Sequence, residues 1–207
     1  MEKAENPRPE EKGRKTRRQV QATKTRDKIY NAGVQAINEK GFNNVSIEDI
    51  TNAAQVAKGS FYTHFESKEA LVFYTFTQSD AIYKQAYEKV KGNSFLYMVT
   101  RFVRIAYTEY EKRGKGIIKA MISNYFSLPE RNVYGRDRPL LKCLRLIVES
   151  GKKEGVLESK TDSDWYVELL LSAMVGVEVM WCFDTKGRSL ADMIEDSVRV
   201  TAQGMMK

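Results

Sequence analysis

Residues 46–65, SIEDITNAAQVAKGSFYTHF, restrict the fold of this chain more than any other stretch. Ser46 can cap a helix, and Asp49, three residues on, supplies the acid that completes a capping box. Ile47, Ile50, Ala53 and Ala54 then recur at helical spacing as a narrow apolar stripe. The apolar phase restarts at Val56 and runs through Phe61 and Phe65, so a tight turn has to separate two short helices. Helices this short cannot bury themselves alone and need a third as a platform. Thr25 to Lys40 supplies it.

At roughly 100° per residue, the second short helix separates its side chains cleanly. Phe61 and Phe65, four apart, share the face that points into the domain, while Gly59, Ser60 and Thr63, all small, fall on the opposite face. Tyr62 and His64 project to either side, and Lys58 sits at the positively polarised N-terminus. A small central stripe lets a backbone approach base edges, and flanking donors can reach phosphates on both walls of a groove. An ordinary helical hairpin with small exposed residues would satisfy the same periodicity. The basic surroundings favour the DNA reading.

The stretch TRDKIYNAGVQAINEKGFNNVSIEDITNAAQVAKGSFYTHFESKEAL resembles the N-terminal DNA-binding domain of the tetracycline-repressor (TetR-type) family of bacterial regulators. The matching pieces are Gly41-Phe42, Ser46-Ile47, Ile50, Ala53-Ala54, Val56, Lys58-Gly59, Phe61-Tyr62, His64-Phe65 and Ser67-Lys68 leading to Leu71. Gln55 departs from the pattern, because the family commonly places a glycine in that turn. A positive φ there would leave Gln55 under slight strain. The resemblance implies that Lys58, Gly59, Ser60 and Thr63 approach base edges. It implies that Tyr62, His64 and Lys68 bind phosphates, joined by Ser46 from the start of its helix. Helix capping alone would also account for Ser46.

Charge is unevenly placed. The chain of 207 residues has a formal net charge of +7, and residues 12–28 hold eight basic side chains against Asp27 alone, so the remainder sums to zero. A basic arm ahead of the first helix suits backbone-driven DNA affinity through counterion release, and such arms can enter a minor groove. Arg14, Lys15, Arg17 and Arg18 are the expected arm contacts, within a basic, disordered arm of residues 1–22. Met1–Glu11, with four acids and two prolines, reads as a solubilising tail. The polar N-terminus is no signal peptide. The longest apolar run, Leu169 to Phe183, is 15 residues with Glu178 inside it, too short and too charged to span a bilayer. Cys143 and Cys182 lack ligand or redox spacing and read as small hydrophobes. The expectation is a cytoplasmic protein with no membrane partner, no metal and no cofactor.

From Ser67 onward the chain reads as helices with recognisable stops. One runs from Ser67 to about Val90, and Ser94 opens the next, which ends near Gly114. A shorter one covers Gly116 to Phe126, and SLPERNVYGRDRP then breaks the pattern as a loop. Pro139 suits the first turn of a helix ending before Gly155. Asp162–Phe183 and Ser189–Met206 are the last two. No β-alternation is evident. The fold class is therefore all-α: a three-helix helix-turn-helix DNA-binding domain at residues 23–83, with its motif at 46–65, and a helical ligand-binding and dimerisation domain at 84–207.

Leu169 to Phe183 is apolar almost all round, and Ala173 and Gly176 would allow close helix approach. This suggests a homodimer built on the last two helices, although the central core helix of a monomer would read similarly. Aromatic and sulfur side chains (Phe102, Tyr107, Tyr110, Met121, Tyr125, Phe126, Tyr134, Trp165 and Trp181) collect in this half. By spacing they are ordinary core. The resemblance shifts the reading toward a pocket for a small apolar or aromatic effector. Glu178 would meet a cationic ligand, a partner across the dimer, or solvent at a helix edge.

The resulting expectation is a ligand-responsive homodimeric repressor of double-stranded DNA with a palindromic operator. A DNA-tethering adaptor with a protein partner is the alternative. An enzyme lacks parts: there is one histidine, two isolated cysteines, and an S-x-x-K match at Ser150–Lys153 without companion motifs.

Overall fold

Side-chain caps set where most of the helices begin. In the computed structural model, which describes residues 16–127, 135 and 137–207, Thr16 caps α1 (Arg17–Lys40) through a capping box with Gln19. Ser46 does the same for α2 (Ile47–Ala53) with Asp49, and Ser67 caps α4 (Lys68–Val90). Between them lies α3 (Lys58–His64), which starts after Ala57 with no side-chain cap. The C-terminal half adds α5 (Phe95–Glu111), α6 (Lys115–Ser123), α7 (Pro139–Glu154, proline in its first turn), α8 (Ser163–Phe183) and α9 (Leu190–Met205). Asp162 caps α8, Ser189 caps α9, and Gly155 ends α7 in the left-handed region at φ +83°. Short 3-10 turns cover Phe42–Asn44 and Tyr125–Ser127. Among the described residues there is no strand, and the fold is all-α as expected.

Two boundaries differ from the expectation. Arg17 to Ala22, grouped above with a disordered arm, form the first turns of α1. The Thr16–Gln19 box supplies two hydrogen bonds there, 3.2 and 2.9 Å, that offset the lack of an apolar face. Arg14 and Lys15 lie outside the described residues, as do residues 128–134 of the expected loop. The expected division after residue 83 falls inside α4, which runs unbroken through it.

The head is a three-helix unit with α1 as platform. Ile29, Ile37, Ile50, Phe61 and Leu71 are fully buried, and Val45, Ala54 and Phe65 nearly so. Burying one such large apolar side chain stabilises by about 1.5–3 kcal/mol, so these few contacts hold α2 and α3 in place. Gly33 lets α4 come close: a β-carbon there would lie 2.8 Å from both δ-methyls of Leu71. Tyr30 reinforces the contact by donating to Thr75 Oγ1 at 3.1 Å.

The C-terminal half packs α5 against α9, α4 and α7, with α8 against α9 and α7. A second joint connects the two halves. Asn38 of α1 donates to the carbonyl of Arg113 at 2.6 Å and accepts from the amide of Ile117 at 3.0 Å. The start of α6 is thereby tied to the end of α1.

Candidate nucleic-acid interface

The turn between α2 and α3 passes through Gln55 at φ +50°, the only positive φ outside glycine among the described residues. A glutamine held there carries the strain that a glycine would avoid. The turn delivers α3 with Phe61 inward at 0% exposure and leaves Lys58, Gly59, Tyr62 and Thr63 exposed. Ser60 and His64 are half-buried. These six are brought together on one short helix, as expected.

Gly59 is the most informative of them. A β-carbon built there meets no atom within 4 Å, so no contact among the described residues requires a glycine. Glycine in a helix is unfavourable by roughly 1 kcal/mol relative to alanine. Thr63 is half committed: its hydroxyl donates to the carbonyl of Gly59 at 3.0 Å, which leaves the oxygen lone pairs without a donor from that bond. Tyr62 is 52% exposed, its ring resting edge-on against Phe61 at 5.6 Å.

Lys58 pairs with Glu48 of α2, and that contact holds the Glu48 carboxyl below its ordinary range. Both side chains are more than half exposed, so the pair adds little to stability. Ser46 sits inside its box: its hydroxyl accepts from the Asp49 amide at 3.0 Å and donates to the Asp49 carboxylate at 2.7 Å. The Ser46 hydroxyl and the Ser46 amide, which donates to the same carboxylate at 2.9 Å, then Lys40 at 3.1 Å, keep the Asp49 carboxyl well below the usual range.

Lys68 is placed differently from the expectation. Its ammonium donates to the carbonyls of Phe42 at 2.6 Å and Val45 at 2.7 Å, and lies 4.3 Å from the Phe42 ring centre. It closes the connection before α2 from the inside, where the two orphan carbonyls attract it. Arg26 is similarly turned inward, over the rings of Tyr74 at 4.1 Å and Phe65 at 5.2 Å. Arg17, Arg18, Lys24 and Lys28 of α1 are exposed.

In the C-terminal half an interior cavity lies between α4, α5, α7 and α8. Tyr107, Tyr110 and Tyr125, three of the nine expected pocket residues, line it. Phe102 and Met121 are buried core, and Trp181 is 7% exposed with its indole donating to the Arg188 carbonyl at 2.8 Å. Trp165 and Phe126 face outward, and Tyr134 lies outside the described residues. Phe76 and Tyr83 on α4, Leu140 and Arg138 near the start of α7, were not anticipated. Glu178 is 5% exposed and turned away from solvent: Tyr107 donates to one of its oxygens at 2.6 Å and Tyr125 to the other at 3.1 Å. Burial pushes its carboxyl up to about 7 while both phenols pull the other way. Cys143 and Cys182 are free thiols, both pushed up by burial. Among the described residues no cluster of three or more His, Cys, Asp or Glu is placed to hold a metal ion.

A short small-faced helix, held outward by a three-helix head on a larger helical body, has the arrangement of a helix-turn-helix module. Residues 29–75 match the family model described as bacterial regulatory proteins, tetR family. Over that segment the chain is similar to TetR-type regulators. It is similar to the transcriptional repressor DhaR of Mycobacterium sp. (strain GP1), 50% identical over 48 residues, which is 23% of this chain and 24% of that protein. It is also similar to the transcriptional regulator UidR of Escherichia coli (strain K12), 31% identical over 98 residues, 46% of this chain and 50% of that one. The alignments thus span half or less of those relatives' lengths. The fold is that of FadR from Thermus thermophilus, solved in complex with lauroyl-CoA, at TM-score 0.66 and 20% identity over 88% of this chain and 95% of that chain.

Proposed function

We propose that the chain is a ligand-responsive homodimeric repressor that binds a palindromic operator in double-stranded DNA. The observation that carries the reading is Gly59, whose lack of a side chain serves no contact among the described residues. In this reading Lys58, Gly59, Ser60 and Thr63 meet base edges, and Tyr62 and His64 hold the phosphates on either side. Ser46 and the exposed basic residues of α1 add backbone affinity, and Arg14 and Lys15 extend it. Lys68 keeps an indirect part, fixing the start of α2.

One face of α8 supports the homodimer. Trp165, Ser172, Gly176, Met180 and Phe183 recur at helical spacing and are all exposed, with Leu169 half-buried among them. A β-carbon on Gly176 also meets nothing within 4 Å. The helix is 21 residues, longer than the run recognised in the sequence, and is long and apolar enough to cross a membrane by length and composition, with 33% of its most apolar window buried in the chain. A second copy covering this face accounts for both features, as a four-helix bundle of α8 and α9 from each subunit. Two heads then read two half-sites.

The cavity supports an effector site, as the lauroyl-CoA complex of the Thermus thermophilus neighbour does by analogy of fold. Phe76 and Tyr83 belong to α4, the helix whose start packs on the head, so a guest that favours another tilt of α4 would move both heads off their grooves. A DhaR-like repressor sense follows the relative's description. Competition binding with duplexes selected from random DNA tests the reading. Lys58→Ala and Thr63→Ala should relax sequence preference, by about 1–3 kcal/mol for a good base contact. Tyr62→Ala and His64→Ala should weaken all duplexes alike. A chain that ignores duplex DNA at low salt would overturn it.

A further inference from the structure

Five aromatic rings surround one carboxylate in the C-terminal cavity. Phe76 and Tyr83 come from α4, Tyr107 and Tyr110 from α5, and Tyr125 from the turn after α6, with Glu178 of α8 among them. Both carboxylate oxygens are already held by phenolic donors, at 2.6 and 3.1 Å. Among the described residues no lysine or arginine forms an ion pair with Glu178, although it is 5% exposed. Phenols supply dipoles but no compensating charge. A desolvated carboxylate is costly unless a cation comes with it.

The rings point to the same chemistry. A π-face attracts positive charge, most strongly where water is excluded. The cavity displays this at its edge: the Arg138 guanidinium lies 5.4 Å from the Phe76 ring centre while bonding to Asp80 at 2.9 Å. Phe76 itself is stacked on Tyr125 at 6.0 Å. A methylene chain would gain nothing from Glu178 and would bring apolar groups against four phenols.

Resting on the reading that this domain takes a small effector, we propose that the effector is an organic cation, seated on the aromatic faces with its charge against Glu178. The space between the walls is about 30 Å³, room for roughly one water. A guest must therefore displace a ring. Tyr125 is the wall best suited to move, because it stands in a three-residue turn and the other rings stand on long helices. Its departure frees one Glu178 oxygen for the incoming charge.

The test uses the full-length protein and three probes: benzyltrimethylammonium, its neutral carbon isostere neopentylbenzene, and lauroyl-CoA. Titration calorimetry, with tryptophan fluorescence as a second readout, should give at least tenfold tighter binding for the ammonium than for the isostere. Glu178→Gln should abolish that preference while leaving the isostere's affinity within about twofold. Equal affinity for the two isosteres in the wild-type protein, no detectable ammonium binding, or full ammonium binding by Glu178→Gln would each overturn the proposal. DNA release by lauroyl-CoA and not by the ammonium would also sink it and leave the ligand-responsive regulator intact. Failure to bind any duplex would instead remove the regulator reading, with the ammonium affinities still scored on their own.

Discussion

A β-carbon on Gly116 would stand 2.7 Å from the α-carbon of Asn38 and 2.9 Å from the carbonyl oxygen of Ile37. Backbone meets backbone here, and no rotamer change can relieve the overlap. Gly116→Ala should therefore separate α6 from α1 and stretch the two hydrogen bonds of Asn38. Overpacking of this kind costs about 1–3 kcal/mol, readable as a lower melting temperature. Because the joint links head to body, operator affinity should change as well. A variant with wild-type melting and wild-type DNA binding would show that the joint is slack.

Gly59 predicts the opposite pairing of effects. Gly59→Ala places a methyl in open space on α3, so stability should hold or rise by up to about 1 kcal/mol. Affinity for the selected operator should nevertheless fall at least tenfold in an anisotropy titration, because that methyl occupies the approach to the bases. Unchanged operator affinity would relieve Gly59 of its assigned part.

Glu48 holds Lys58 in the free protein and places a negative charge beside the recognition helix. Glu48→Gln should tighten binding to every duplex and steepen the log–log salt slope. Melting should barely shift, since both partners are exposed. Weaker binding in this variant would mean that Glu48 orients Lys58 productively.

Glu178 makes stability depend on pH in a defined direction. Its carboxyl is raised from 4.5 to about 7 in the fold, chiefly by burial. Between those values the unfolded chain has released the proton that the folded chain still holds, so wild-type stability falls as pH rises through this window. Above it the loss is complete, on the order of a few kcal/mol. Glu178→Gln carries no such charge and should melt higher than wild type at pH 8 while matching it near pH 4.5. Parallel melting curves across that range would show that the group ionises freely.

Much of the head was legible because its signals are local. Ser46 and Asp49 sit three apart, Phe61 and Phe65 four apart, and each spacing translates directly into a cap or a buried face. Gln55 was legible for the same reason: a turn that demands positive φ announces itself by the residue that does not suit it. The start of α1 was also written locally, as Thr16-x-x-Gln19, but the polar stretch after it lacks the apolar period that would extend a helix back to Arg17. What could not be read were contacts made across the sequence. Lys68 reaches carbonyls more than twenty residues earlier, and Phe76 and Tyr83 become cavity wall only when α4 meets α5 and α8. Nothing in the spacing of α4 distinguishes these two from neighbouring core residues.

The unbroken course of α4 has a mechanical corollary. Leu71, locked against Gly33, and Tyr83, beside Glu178, are twelve positions apart on a single stiff rod, about 18 Å at the usual rise per residue. Such a rod transmits rotation without attenuation. A few degrees of pivot at its interior end become an ångström or so of travel at its outer end, so the regulator proposed above would need no flexible linker to report an event in its interior.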